Sequence, residues 1–172
     1  GNALAGAGAL DVLMARDGSG GEKLWGARRE LSRALRAQAN FKLAEDVVVP
    51  RSRIPALIDQ CQRLSEQYGV LMPCYGHAGD GNIHVNFLWN DASEEPRVHQ
   101  AIEALFKQVI ALDGTLSGEH GIGVLKAAYL PLEHSPALIA LQEQVKALFD
   151  PKQLLNPGKI FPNHVQRFHR AC

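Results

Sequence analysis

The chain has 172 residues, enough for one domain or for part of a larger protein, and 46% of them are apolar, ample for a buried core. Its 18 basic and 18 acidic residues balance to a formal net charge of zero, so no nucleic-acid-binding face and no acidic interaction tail is expected. No apolar run approaches ~18 residues, the length that reads as a membrane span, and no signal peptide is evident.

The opening "GNALAGAGAL" lacks an initiator Met and reads as the start of a piece cut from something longer. "ALDVLMARD" predicts a short strand. After "GSGG" the spacing predicts a helix over Glu22 to Arg36, with Leu24, Leu31 and Leu35 in line and Trp25 beside them. At ~100° per residue, Arg28 and Ser32 fall inside that apolar arc. A charge there either snorkels to solvent or has a partner or ligand. "EDVVVP" predicts a strand ended by proline. "SRIPALIDQCQRLSEQYG" predicts a helix with Ile54, Leu57, Ile58, Cys61, Leu64 and Tyr68 on one face and a stop at Gly69.

"VLMPCYGH" and "NIHVNFLW" predict two strands either side of a glycine-rich turn. "EPRVHQAIEALFKQVIALDG" predicts a helix that turns Val98, Ile102, Leu105, Phe106, Val109 and Ile110 inward and stops at Gly114. "TLSGEHGIG" reads as a short strand running into a loop. "SPALIALQEQVKALFD" predicts a helix capped by Ser135 with Pro136 at its first position. "DPKQLLNPGKIFP" closes the ordered part, and 163–172 is expected to be a flexible tail. Alternating helices and strands with a central hairpin predict an α+β fold. Its expected form is an antiparallel or mixed sheet with helices on one face, a ferredoxin-like sandwich, plus a C-terminal helical segment. Cys61 and Cys74 read as reduced core residues, and with Cys172 they form no metal-type spacing, which fits a cytoplasmic protein.

Asp80-Gly81 is a strong signal for a two-residue hairpin, because that turn requires positive φ at its centre. Centred there, the hairpin sets His77 directly against His84 and Tyr75 against Asn86, all on one face. Two neutral imidazoles ~5 Å apart can share a divalent cation, or they can be a plain hydrogen-bonded cross-strand pair. The second motif, "SGEHGIG", brackets Glu119 and His120 with glycines that let the backbone approach closely and turn. Neighbours in an extended stretch point to opposite faces. Glu119 can therefore complete a shell of two histidines and one carboxylate while His120 points into a reaction space. Such a shell leaves positions open for substrate oxygens.

"YGHAGDGNIHVNF", "GTLSGEHGIGVLKAAYL" and "LFDPKQLLNPGKIF", in this order and spacing, resemble the C-terminal part of the FAD-linked D-2-hydroxyacid dehydrogenases. This family includes enzymes of the glycolate oxidase, flavin D-lactate dehydrogenase and D-2-hydroxyglutarate dehydrogenase types, within the vanillyl-alcohol oxidase superfamily. "LWGARREL" and "EDVVVPRSRIPALI" extend the likeness to about 11–162. The resemblance implies a substrate- and metal-binding domain over 1–162, with FAD held mainly by an N-terminal domain of the same polypeptide that lies outside this chain. It implies His77, His84 and Glu119 as ligands of a divalent metal (zinc, iron or manganese) and His120 as the general base. It implies Arg28, Ser32, Lys42 and Asn86 as substrate-binding residues, with Asn156 and Lys159 close to the flavin or the partner domain. The implied reaction oxidises a small D-2-hydroxyacid to the 2-oxoacid, with an electron-acceptor protein as a further partner, and the isolated chain is expected to be inactive. Two other readings of the residues stay open: a stand-alone metal-binding or interaction module, and a zinc hydrolase in which Glu119 or His120 activates water.

Overall fold

The computed structural model describes residues 2–9, 12, 14–15 and 17–161. They divide into two compact units, one up to Asn40 and one from Phe41 onward. The tail expected over 163–172 lies outside the described residues.

The first unit contains a short helix α1 (Asn2–Gly6) and a longer α2 (Gly18–Arg36). Of the stretch "ALDVLMARD", where a strand is expected, Ala9, Val12, Met14 and Ala15 are described and belong to no strand; its other four apolar and charged positions before Asp17 lie outside the described residues. Among the described residues of this unit no other strand offers a partner for its backbone groups. Helix α2 starts earlier than expected, at Gly18. Asp17 caps it, its carboxylate accepting the Gly20 N–H at 2.7 Å, and this draws "GSGG" into the first turn. No residue of α2 is buried, and Leu24 and Trp25 are exposed. Its apolar arc is therefore not a core stripe of this unit.

In the second unit the chain runs β1 (Phe41–Val48), α3 (Ile54–Tyr68), β2 (Cys74–His77), β3 (Asn82–Trp89), α4 (Glu95–Ala111) and α5 (Pro136–Phe149). The three strands form an antiparallel sheet in the order β1-β3-β2. Thr115 adds one bridge to Val48 on the outer edge of β1. This is the split βαβ, ferredoxin-like arrangement with its fourth strand reduced to a single pair.

Strand alternation gives the sheet two different faces. Val47 of β1, Val49 just beyond its end, and Ile83, Val85 and Phe87 of β3 join one buried core with Leu57, Cys61 and Leu64 of α3 and Val98, Ile102, Leu105, Phe106 and Val109 of α4. Ile58 departs from the expected inward face of α3 and is exposed. The opposite sheet face carries Asp46, Asn82, His84 and Asn86, with Tyr75 and His77 from β2. Buried polar groups on that face need partners or a ligand.

Two strand ends differ from expectation for local reasons. β2 is short because Pro73 has no N–H to give the ladder, although its carbonyl still accepts from Asn86 N–H at 3.0 Å. Leu71 then bridges Leu88 in the same register. "TLSGEHGIG" contributes only the Thr115 bridge. Helix α5 follows the expected pattern, with Ser135 Oγ accepting the Leu138 N–H at 3.3 Å.

The hairpin register is corrected by two residues. His77 pairs with Asn82, and His84 pairs with Tyr75 rather than with His77. The connection is four residues long, with Gly81 N–H bonded back to His77 O at 3.1 Å. Gly81 cannot serve as the turn centre because it also extends the β1–β3 ladder: its carbonyl accepts from Val49 N–H at 3.2 Å. Its φ is +83°, and a Cβ there would meet Val49 O at 2.1 Å.

Gly81→Ala is expected to destabilise the fold by about 2–3 kcal/mol, because it combines strained φ with a backbone overlap. Gly79→Ala, where a Cβ meets nothing within 4 Å, is expected to stay within about 0.5 kcal/mol of wild type. Urea unfolding of both variants checks the contrast; equal midpoints would contradict this register.

Candidate metal centre

A register slip of one residue would turn every side chain over, whereas a slip of two leaves each on its own face. His77 and His84 therefore still share a face, now as diagonal neighbours. Their rings meet edge to face, with centroids 5.6 Å apart at 81°. Tyr75, opposite His84, lies 5.3 Å from it, ring to ring.

Glu119 arrives from the segment after the Thr115 bridge. Its Oε1 stands 3.3 Å from His84 Nε2. One ligand atom each from His77, His84 and Glu119 lie within 4.8 Å of one another. Donors bound at ~2.1 Å to one tetrahedral ion stand about 3.4 Å apart, so the His84–Glu119 pair already has that spacing and small side-chain rotations bring in His77. Burial pushes the His84 pKa down, assisted by His120 and His77 and only partly offset by Glu119. That favours the neutral imidazole, the form that ligates a cation. Two imidazoles and one carboxylate thus form a donor set that fits a divalent ion.

The loop carrying Glu119 and His120 is held by Asp46. The Asp46 side chain is fully buried, and its Oδ2 accepts three successive backbone N–H groups, from Gly118 at 2.9 Å, Glu119 at 2.6 Å and His120 at 2.9 Å. Such a run of amides around an anion is a backbone nest. Its Oδ1 accepts from Lys126 Nζ at 2.5 Å. Lys126 is buried as well and also donates to Asp46 O and Leu116 O, both at 2.7 Å. The Asp46 carbonyl lies on the free edge of β1, like Val48, so the ammonium fills a place where a full fourth strand would donate. Burial pushes the Asp46 pKa up, but Lys126 and the His120 and Glu119 amides outweigh it and hold the value at about 2. Burial raises the pKa of neighbouring Glu45, an effect Lys126 partly offsets from 3.5 Å.

This clamp corrects the expected orientation of His120. The 118–120 backbone is bent rather than extended, so adjacent side chains do not point to opposite faces. His120 instead stacks on His84, centroids 5.4 Å apart at 20°, with its Nε2 3.8 Å from Glu119 Oε1 and its Nδ1 3.7 Å from Asp46 Oδ1. Gly118 allows the approach, since a Cβ there would fall 2.5–2.7 Å from the Asn82 amide.

The remaining expected site residues are spread over both units. Asn86 is buried on the site face, its Nδ2 donating to Pro73 O at 3.1 Å and its Oδ1 left without a partner. Lys42 shares that face of β1, but four residues from Asp46, about 13 Å along the strand. Ala44, not Lys42, stands opposite Asn86. Arg28, half-buried, and Ser32, exposed, belong to α2 in the first unit. Asn156 and Lys159 are exposed beside a cavity of about 330 Å³ that Phe149, Leu155 and Ile160 also line. Sequence reading missed Asp46 and Lys126. The available signal was a charge set among apolar neighbours in each case, "EDVVV" and "GVLKAA".

Among the described residues no helix is long and apolar enough to cross a membrane. The sequence matches the family described as FAD linked oxidases, C-terminal domain, over residues 1–160. It is 36% identical over 143 residues to the glycolate oxidase protein GlcD of Bacillus subtilis, covering 82% of this chain and 30% of that protein. To the probable mitochondrial D-lactate dehydrogenase of Danio rerio it is 38% identical over 158 residues, 89% of this chain and 32% of the other. To the D-2-hydroxyglutarate dehydrogenase of Stutzerimonas stutzeri it is 33% identical over 158 residues, 88% and 34% respectively. The chain spans about a third of the length of these relatives.

Removing one partner of the buried pair strands a charge, so Lys126→Met or Asp46→Ala alone is expected to cost about 3–5 kcal/mol in urea unfolding. The double variant should recover part of that loss. Because the folded pKa of Asp46 lies below the ordinary carboxylate value of about 3.9, its contribution is complete above that pH and is lost as pH falls toward 2.

Proposed function

The chain belongs to the C-terminal domain family of the FAD linked oxidases, and on that premise we propose that it is the substrate- and metal-binding part of a flavin-dependent dehydrogenase acting on a small D-2-hydroxyacid. The product is the 2-oxoacid. FAD is held mainly by another domain of the same polypeptide, and an electron-acceptor protein is a further partner. The observation that carries this reading is the convergence of His77, His84 and Glu119, two imidazoles from one hairpin and a carboxylate from a distant loop, within 4.8 Å.

A divalent cation, when bound, supplies Lewis acidity to a hydroxyl beside it, and FAD accepts the hydride. The chain's own residues do the rest. His77 and His84 offer neutral ring nitrogens and Glu119 an anionic oxygen. His120 takes the hydroxyl proton on an imidazole nitrogen, the side chain suited to that work near neutral pH. Asp46 fixes the His120 backbone, so the base does not wander when it is protonated. Asn86 Oδ1, buried and unpartnered, supplies an acceptor for a substrate hydroxyl. Arg28 offers the planar fork that binds a carboxylate through paired donors, with Ser32 and Lys42 assisting. Asn156 and Lys159 are assigned to the flavin side.

Metal analysis of the purified protein after zinc or manganese loading is expected to find about one ion per chain. His84→Ala and Glu119→Gln should each lower metal affinity at least 10-fold. Unchanged uptake in both variants would sink the metal centre. In the flavin-loaded full-length enzyme, His120→Ala should leave metal content intact and lower kcat by about 10²–10⁴-fold with a D-2-hydroxyacid. Arg28→Ala should act mainly on KM.

A further inference from the structure

Two buried carboxylates share one buried ammonium. Glu45 and Asp46 follow one another on β1, 4% and 0% exposed, so their side chains leave opposite faces of the sheet. Lys126 reaches both, its Nζ standing 2.5 Å from Asp46 Oδ1 and 3.5 Å from Glu45 Oε2. An ammonium has three N–H groups. All three are engaged, by Asp46 Oδ1, Asp46 O and Leu116 O. Glu45 is therefore a second anion beside a cation whose donors are already occupied. Val85 stands opposite it on β3, on the apolar core side of the sheet. The titratable groups around it are Lys126, the Asp46 anion, His120 from the loop, and Tyr129, on which Glu103 of α4 also acts.

We propose that Glu45 is a buried neutral carboxylic acid in the folded chain and acts as a pH-sensitive release for the loop that carries Glu119 and His120. While Glu45 keeps its proton, Lys126 serves Asp46 and Leu116 alone, and Asp46 holds the amides of Gly118, Glu119 and His120. When the carboxyl gives its proton to solvent, two adjacent anions compete for three N–H groups. Lys126 then bonds Glu45 only by giving up Asp46 or Leu116, and either loss loosens one end of the 116–120 segment.

The environments of the two carboxyls agree with this division. Burial pushes the Glu45 pKa up, and Lys126 offsets that only in part, whereas Asp46 is held at about 2. With a folded value above the ordinary one, the stabilisation from neutral Glu45 is complete below the ordinary carboxylate range. It is lost as pH rises through the raised value, the reverse of the Asp46 dependence. The device belongs to the clamp and operates whether or not a cation binds at His77, His84 and Glu119. Its test therefore uses the metal-free protein, and a failure of metal uptake leaves it standing.

The test compares wild type with Glu45→Gln, which keeps the shape and cannot ionise. Infrared spectra of the folded wild type, with glutamate carboxyls labelled with carbon-13, are expected to show the carbonyl band of a protonated acid, shifted by the label and absent from Glu45→Gln. Urea midpoints measured from about pH 5 to about pH 8 should fall in wild type relative to Glu45→Gln as the pH rises. At the upper pH the amides of Gly118, Glu119 and His120 should exchange faster in wild type than in the variant. The proposal is overturned if the folded wild type has no such acid band, a result that stands even if the variant fails to fold. It is also overturned if the two urea midpoints keep a constant separation across the range. A variant weakened at every pH, as Lys126→Met is expected to be, gives that second result and identifies Glu45 as an ionised partner of Lys126.

Discussion

One buried carboxylate organises the chemistry-bearing half of this chain. Asp46 sits near the end of β1, beside Glu45, and binds three consecutive amides of a loop more than 70 residues later, while its second oxygen takes the ammonium of Lys126. Burying two charges is costly, and their mutual attraction offsets that cost only when the remaining hydrogen-bonding capacity is also filled. Here it is filled. Three N–H groups occupy one oxygen of Asp46, and Lys126 places its donors on a carboxylate and two backbone carbonyls. The pair fixes where the loop lies, and Glu119 and His120 follow from the loop.

The sheet separates two tasks by strand parity. One face is closed by α3 and α4 into an apolar core. The other gathers Asp46, His84, Asn86, Tyr75 and His77, a set that a core of this size would not tolerate without partners. Strand β3 is buried along nearly its whole length because it is central and flanked on both edges. A histidine at its middle is therefore kept neutral by its surroundings. β2 carries both roles within four residues: Cys74 faces the core, while His77 faces the candidate metal centre. The glycines around the site serve close approach as much as turning, as Gly81 against Val49 and Gly118 against Asn82 demonstrate.

The family relationship and the site geometry inform different questions. Membership in the family of FAD linked oxidase C-terminal domains supports the class of cofactor and the kind of reaction proposed for the whole protein. The geometry gives the order of dependence among residues: the hairpin supplies two imidazoles, the clamp supplies the carboxylate and the adjacent histidine, and neither motif makes a three-donor set alone. The chain spans about a third of its relatives, and under the proposed function the flavin-binding remainder and the substrate's outer contacts lie beyond that third.

Sequence by itself determined the elements that depend on local periodicity and caps. These include the apolar faces of α3 and α4, the Ser135-Pro136 start of α5 and the two strands around the glycine-rich turn. It also determined that His77 and His84 share a face, because that depends only on parity, which an error of two residues in register leaves intact. Only the tertiary structure decided the register itself, since Gly81 is claimed by Val49, 32 residues earlier and just past the end of β1, as well as by its own turn. The directions of Glu119 and His120 were likewise decided there, because a bent loop has no periodicity to read. Asp46 and Lys126 lie 80 residues apart, and a charge in an apolar run signals a partner without naming it. The physical reason is common to all three: these groups are fixed by contacts made across the sheet edge, and such contacts have no spacing along the chain.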